Sequence, residues 1–133
     1  MMQIYVWPYF IALFVFLCID AVWLTFAGRS IYAAELGALL REKPDFAVAF
    51  IFYLVFIAGL VSFVILPAAA AGDIGQAVRM GALFGLVSYA TYDLTNLSTI
   101  NGFTTKIALI DLAWGATISA VVSGITVWLL GRV

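Results

Sequence analysis

A chain of 133 residues, 66% hydrophobic and 10% charged, with a mean hydropathy of +1.18, falls well short of the roughly one-quarter charged residues of a water-soluble domain. Its solvent is the bilayer, and the reading is an integral membrane protein. A net charge of -1 with no basic run excludes nucleic acid as a partner and any polybasic contact with anionic headgroups. The single cysteine, Cys18, sits in an apolar run and histidine is absent. No intrachain disulfide, metal-thiolate cluster or cofactor is expected, and any chemistry falls to carboxylates, phenols, hydroxyls, amides or basic groups.

Residues 4–27 form the first apolar run, about 24 residues and enough for one crossing. No Lys or Arg precedes it and it is too long for the apolar core of a signal peptide, so a permanent helix is expected. It contains Asp20, with Trp23 at i+3. A mid-span aspartate costs roughly 3 kcal/mol on insertion scales, so Asp20 should face the bundle interior. Residues 28–45, punctuated by Gly28 and Pro44, are the longest polar interval. There Tyr32, Leu36, Leu39 and Leu40 share a face away from Ser30, Glu35, Arg41 and Glu42, which predicts a short amphipathic helix resting in the interface as a connector.

The second crossing spans residues 46–66 and is ended by Pro67. It carries no charge; Tyr53 supplies a hydroxyl, and Gly59 with Ser62 permits close helix approach. After a small-residue turn, residues 77–100 form the third crossing, opening with Gly81 and Gly85 in a spacing that lets two backbones touch. It continues into Tyr89-Ala90-Thr91-Tyr92-Asp93-Leu94-Thr95-Asn96, where Tyr89, Tyr92, Asp93 and Asn96 share one helical face, predicted to look at protein. The fourth crossing, residues 105–130, carries Asp111, Trp114 at i+3, then Gly115, Ser119 and Ser123 at small-x-x-x-small spacing. The expected fold is all-α: a single transmembrane domain over residues 1–133, a four-helix bundle with a short interfacial helix between its first two crossings.

Crossings joined by short connections alternate in direction. Counted from the face shared by the first and third loops, Asp20, Tyr53, Asp93 and Asp111 each lie six to eight residues deep, or roughly 9 to 12 Å. One residue from every helix falls in the same layer. Asn96 and Trp23 lie nearer the surface, Tyr89 and Trp114 deeper. Three carboxylates so placed, with no Lys or Arg inside any span, cannot all be ionised without a cation. Asp20, Asp93, Asp111, Asn96, Tyr53, Tyr89, Tyr92, Trp23 and Trp114 are therefore the candidates for a ligand or proton site, with interhelical glue the competing use of the same groups. No loop has metal-ligand spacing, so no metal is expected. The two tryptophans read first as packing or interface anchors, then as ligand-stacking surfaces.

Two likenesses within the chain, Asp20-x-x-Trp23 with Asp111-x-x-Trp114 and Gly59-Leu60-Val61-Ser62 with Gly85-Leu86-Val87-Ser88, occur at different offsets. They read as similar solutions to similar sites, not as a duplication. For orientation, Arg29, Arg41, Lys43 and Lys106 lie on the face nearest the acidic layer and Arg79 and Arg132 on the other, a bias toward cytoplasmic first and third loops.

Asp20-x-x-Trp23-Leu24, Tyr32 with Leu36-Gly37, Phe52-Tyr53 with Gly59, Phe63 and Pro67, Gly81 to Gly85, Tyr89 to Asn96, and Asp111-Leu112-Ala113-Trp114-Gly115 together resemble a bacterial family catalogued as domain of unknown function 2177. The resemblance covers nearly the whole chain and implies four membrane helices in a bacterial inner membrane. It implies no activity. Three functions fit the residues. One is a module that binds or transports a proton, a cation or a small hydroxylated or lipid ligand at the acidic layer. Another is an accessory enzyme or subunit in membrane-lipid modification, with Asp93 as general base and Asp20 or Asp111 as acid; without histidine or a cofactor motif, the reading leans away from an enzyme. The third is a structural subunit. The partners expected are membrane lipid and, on the small-residue faces, a second copy or another membrane protein.

Overall fold

The computed structural model describes residues 2–133, which form four helices and, among the described residues, no strand. The first, α1, runs over residues 2–36: an α-helical stretch Met2–Trp23, a π-helical turn Leu24–Gly28 and a further stretch Arg29–Leu36. α2 is Phe46–Ala71, α3 is Ile74–Thr99 and α4 is Thr105–Leu130. Large apolar side chains point outward, Phe14, Phe26, Phe46 and Phe63 each more than 70% exposed, as suits a bundle whose surroundings are apolar.

Two expected breaks are absent. Gly28 does not end the first helix: its backbone is helical (φ -60°, ψ -45°) and the helix passes through it by widening to a π turn, with the Arg29 N–H donating to the Leu24 carbonyl. The amphipathic stretch of the first loop is thus a rigid extension of α1, stopped only at Gly37 (φ 51°). Pro67 does not end the second helix either. The π turn Val61–Ile65 lies immediately ahead of it, and such a turn relaxes the register in which the proline ring would strike the preceding carbonyl. α2 then continues to Ala71 and stops at Gly72 in the left-handed conformation, with Asp73 N–H reaching the Ala68 carbonyl at 3.0 Å.

The connections after α2 are tight and side-chain capped. Asp73 accepts from the Gln76 N–H at 2.9 Å to start α3, and Thr104 accepts from the Ile107 N–H at 3.2 Å to start α4. The Thr104 hydroxyl also donates to Glu35 at 3.3 Å, which ties the end of α1 to the start of α4.

α3 and α4 form the closest pair. A Cβ at Gly85 would strike the Gly115 carbonyl and the Ser119 side chain; one at Gly81 would meet the Ser119 carbonyl and the Ser123 hydroxyl. The small residues are therefore what lets the two backbones meet. The apolar core, with Phe16, Ile57, Leu60, Ile65, Ile118 and Val122 buried, fills the space between α1, α2 and α4.

Three stretches are long and apolar enough to cross a membrane: Gln3–Leu39, Phe46–Ala71 and Thr105–Leu130. α3 has the length, 26 residues, but it carries the polar motif and is not among them. Its outward hydroxyls are satisfied within the helix, Thr91 on the Val87 carbonyl at 2.9 Å and Thr99 on the Thr95 carbonyl at 2.7 Å. Such back-bonding leaves little for water to solvate.

Candidate functional site

The two Asp-x-x-Trp segments lie on α1 and α4, which run in opposite directions. An antiparallel pair sets the Asp of each segment at the depth of the other's Trp. The consequence is a crossed clamp. Asp20 accepts from Trp114 Nε1 at 3.1 Å, while Asp111 accepts at 2.6 Å from the Tyr32 hydroxyl, which in turn receives Trp23 Nε1 at 3.4 Å. Between them the indoles of Trp23 and Trp114 stack, centroids 4.4 Å apart and planes at 12°. Both indole N–H groups are thus taken, and each ring covers one face of the other.

Asp20 is also held by α2: the Tyr53 hydroxyl donates to its second oxygen at 2.6 Å. Both of its oxygens therefore have donors, which offsets the cost of burying it at 8% exposure. A continuous chain of contacts runs from Tyr53 through Asp20, the two indoles and Tyr32 to Asp111, joining α2, α1 and α4 in the layer that helical depth counting predicts.

Asp93 is different. It is fully buried, and neither carboxyl oxygen meets a hydrogen-bond donor. Another acid, Asp111 of α4, lines the same small cavity. The three aspartates thus divide into a saturated place around Asp20 and an unsaturated one around Asp93 and Asp111. Among the described residues no group of three or more His, Cys, Asp or Glu is arranged to hold a metal.

The unsaturated place is flanked by two cavities. The larger, about 350 Å³, is lined by Phe52 of α2, Ser88, Tyr89 and Tyr92 of α3, and Asp111. The smaller, about 220 Å³, lies beneath the α1 extension and is lined by Tyr32, Leu36, Tyr92, Asp93, Phe103 and Asp111 among others. The larger exists because α2 leaves α3 along its first half. The helices meet higher up, where the Phe84 ring lies over Gly59 and packs on Phe56 at 5.4 Å. Below that seam the walls part, with Phe52 at 46% and Tyr92 at 57% exposure at the mouth.

Tyr89 stands over Gly115, where any Cβ would collide with its ring, and meets Phe56 edge-on at 6.0 Å. Asn96 is half-buried one turn beyond Tyr92. The face shared by Tyr89, Tyr92, Asp93 and Asn96 is accordingly only partly interior: Asp93 is enclosed, whereas Tyr92 stands at the margin, edge-on to Phe103 at 6.1 Å.

Sequence reading missed Tyr32, Gly28, Phe52 and Ser88. Tyr32 belongs to the stretch expected to rest in the interface; the π turn carries it over Asp111 instead. Gly28 leaves room for that bridge, since a Cβ there would press on Trp23 Nε1 at 2.7 Å and on the Tyr32 ring at 3.2 Å. Its signal was present as a glycine four residues before a tyrosine and five after a tryptophan, but a loop was the simpler reading of it.

No curated protein and no solved structure matches the chain. Residues 5–128 match the family described as predicted membrane protein, domain of unknown function 2177. With nearly its whole length matched, and with helices long and apolar enough to span a bilayer and aspartates buried among them, this chain belongs to that family of membrane proteins.

Proposed function

We propose that the chain crosses the bacterial inner membrane four times, with the first and third loops cytoplasmic, and binds an amphipathic ligand admitted sideways between α2 and α3, its polar end on Asp111. The observation that carries this reading is the 350 Å³ cavity whose walls are almost wholly apolar and whose polar end is a carboxyl group, Ser88 and two phenols. Pockets for small molecules are mostly apolar, with a few polar groups that fix orientation. The mouth lies between two outward-facing helix surfaces, so a ligand dissolved in the bilayer reaches it without crossing water. α3 crosses despite its lower apolarity because its polar groups face α4, the cavities or its own carbonyls.

The Asp20 half of the layer serves structure under this proposal, since its oxygens already hold Tyr53 and Trp114. An enzyme with Asp93 as base is less well supported, because Asp93 is fully enclosed and lines the smaller cavity, not the larger.

Native mass spectrometry of the protein released from a mild detergent tests the reading. The expected result is a retained small mass in the wild type that is lost when Ser88→Phe fills the cavity. A clean protein mass from the wild type, or a retained mass indifferent to Ser88→Phe, would overturn it.

A further inference from the structure

The cavity between α2 and α3 presents three aromatic rings, Phe52, Tyr89 and Tyr92, beside the Asp111 carboxyl. The faces of aromatic rings attract cations, and more strongly where water is excluded. The charge inventory agrees. The titratable groups around Asp111 are Asp20 and Tyr32 of α1, Tyr53 of α2, and Tyr89, Tyr92 and Asp93 of α3; none is basic. All six Lys and Arg side chains are exposed, and none lines either cavity. A ligand bearing phosphate would find no partner there and would be repelled by the acids.

Asp93 supplies the second observation. Fully buried and without a donor on either oxygen, it lines the smaller cavity together with Asp111. Of the two acids, Asp111 is the one that also faces the aromatic cavity.

Resting on the reading that this cavity takes an amphipathic ligand, we propose that the ligand is a lipophilic cation, a quaternary or protonated amine with an apolar tail and no phosphate, held at the Asp111 carboxyl. The amine sits among Phe52, Tyr89 and Tyr92, and its tail leaves through the mouth between α2 and α3.

The test titrates the full-length protein, in a non-ionic detergent, with dodecyltrimethylammonium, dodecanol and dodecylphosphocholine by calorimetry. The wild type is expected to bind the ammonium at least tenfold more tightly than the alcohol or the phosphocholine. Asp111→Asn should remove that preference, bringing ammonium binding down to the level of the alcohol. Asp93→Asn should retain the preference, because Asp93 lines the smaller cavity and not the aromatic one. Equal binding of ammonium and alcohol would overturn the cation assignment while leaving the cavity a ligand site. Binding of none of the three would overturn both readings. Phosphocholine binding as tight as the ammonium would overturn the exclusion of phosphate, and preference lost in Asp93→Asn but kept in Asp111→Asn would overturn the assignment of the amine to Asp111.

Discussion

The α3–α4 seam and the α2–α3 groove flank the same helix and are built on opposite terms. Along the seam Gly81 and Gly85 face Gly115, Ser119 and Ser123 so closely that a single added carbon would strike backbone. Along the groove the partners are phenylalanines and tyrosines that touch at Phe56, Phe63 and Phe84 and then part to leave a cavity. Close packing without a hydrophobic driving force gains from every atom in van der Waals contact and tolerates no added bulk. Large rings bridging a wider gap leave volume that a ligand can occupy. One helix thus spends one side on stability and keeps the other open.

The largest effect should come from breaking the seam. Gly85→Val places carbon against the Gly115 carbonyl, which belongs to backbone and cannot swing aside, so a loss of about 3 kcal/mol, the upper end of overpacking costs, is expected. A monodisperse peak and an unchanged melting temperature in detergent would show that the helices have room after all. Asp20→Ala should cost less. It leaves the Tyr53 hydroxyl and the Trp114 N–H without their acceptor, and about 1 to 2 kcal/mol lies between the ~0.6 typical of polar contacts in membranes and the ~3 of an orphaned buried donor. Equilibrium unfolding in sodium dodecyl sulfate reads it, with Asp20→Asn as the milder companion.

Thr104→Ala is expected to cost about 1 kcal/mol as a lost helix cap. Its signature is local: faster amide exchange in the first turn of α4 and in the end of α1 that Glu35 ties down. Smallest of all is Asp93→Asn, within about 0.5 kcal/mol of wild type in the same unfolding assay, because Asp93 makes no hydrogen bond that the substitution removes. A cost comparable to that of Asp20→Ala would mean that both halves of the acidic layer are equally structural, and the contrast drawn between them would fail.

Much of this was legible in residue order. The apolar runs give the helices, depth counting puts Asp20, Tyr53, Asp93 and Asp111 in one layer without pairing them, and Gly81 and Gly85 mark the interior face of α3. The likeness of the two Asp-x-x-Trp segments was visible too, but its meaning required knowing that α1 and α4 are antiparallel neighbours. What stayed hidden depends on π turns. Gly28 and Pro67 are read as helix stops because an α-helix is the reference, whereas here each is carried through by a widened turn. That error cost the sequence reading Tyr32, the residue that bridges Trp23 to Asp111. The cavity was out of reach for a different reason: the divergence of α2 from α3 is set by the rings at Phe56 and Phe84, whose packing no periodicity encodes.

The π turn Leu24–Gly28 also makes the bridge a matter of counting. Such a turn spends one residue more than an α turn for nearly the same height, and each residue of helix turns a side chain by about 100°. A chain shorter by one residue there would stay helical and just as apolar, yet would swing Tyr32 about a quarter-turn off Asp111 and uncouple the far end of the helix from the acids. The spacing from Trp23 to Tyr32, more than the identity of the residues between, therefore carries the information, and single-residue deletions in this turn should be harder to accept than most substitutions within it.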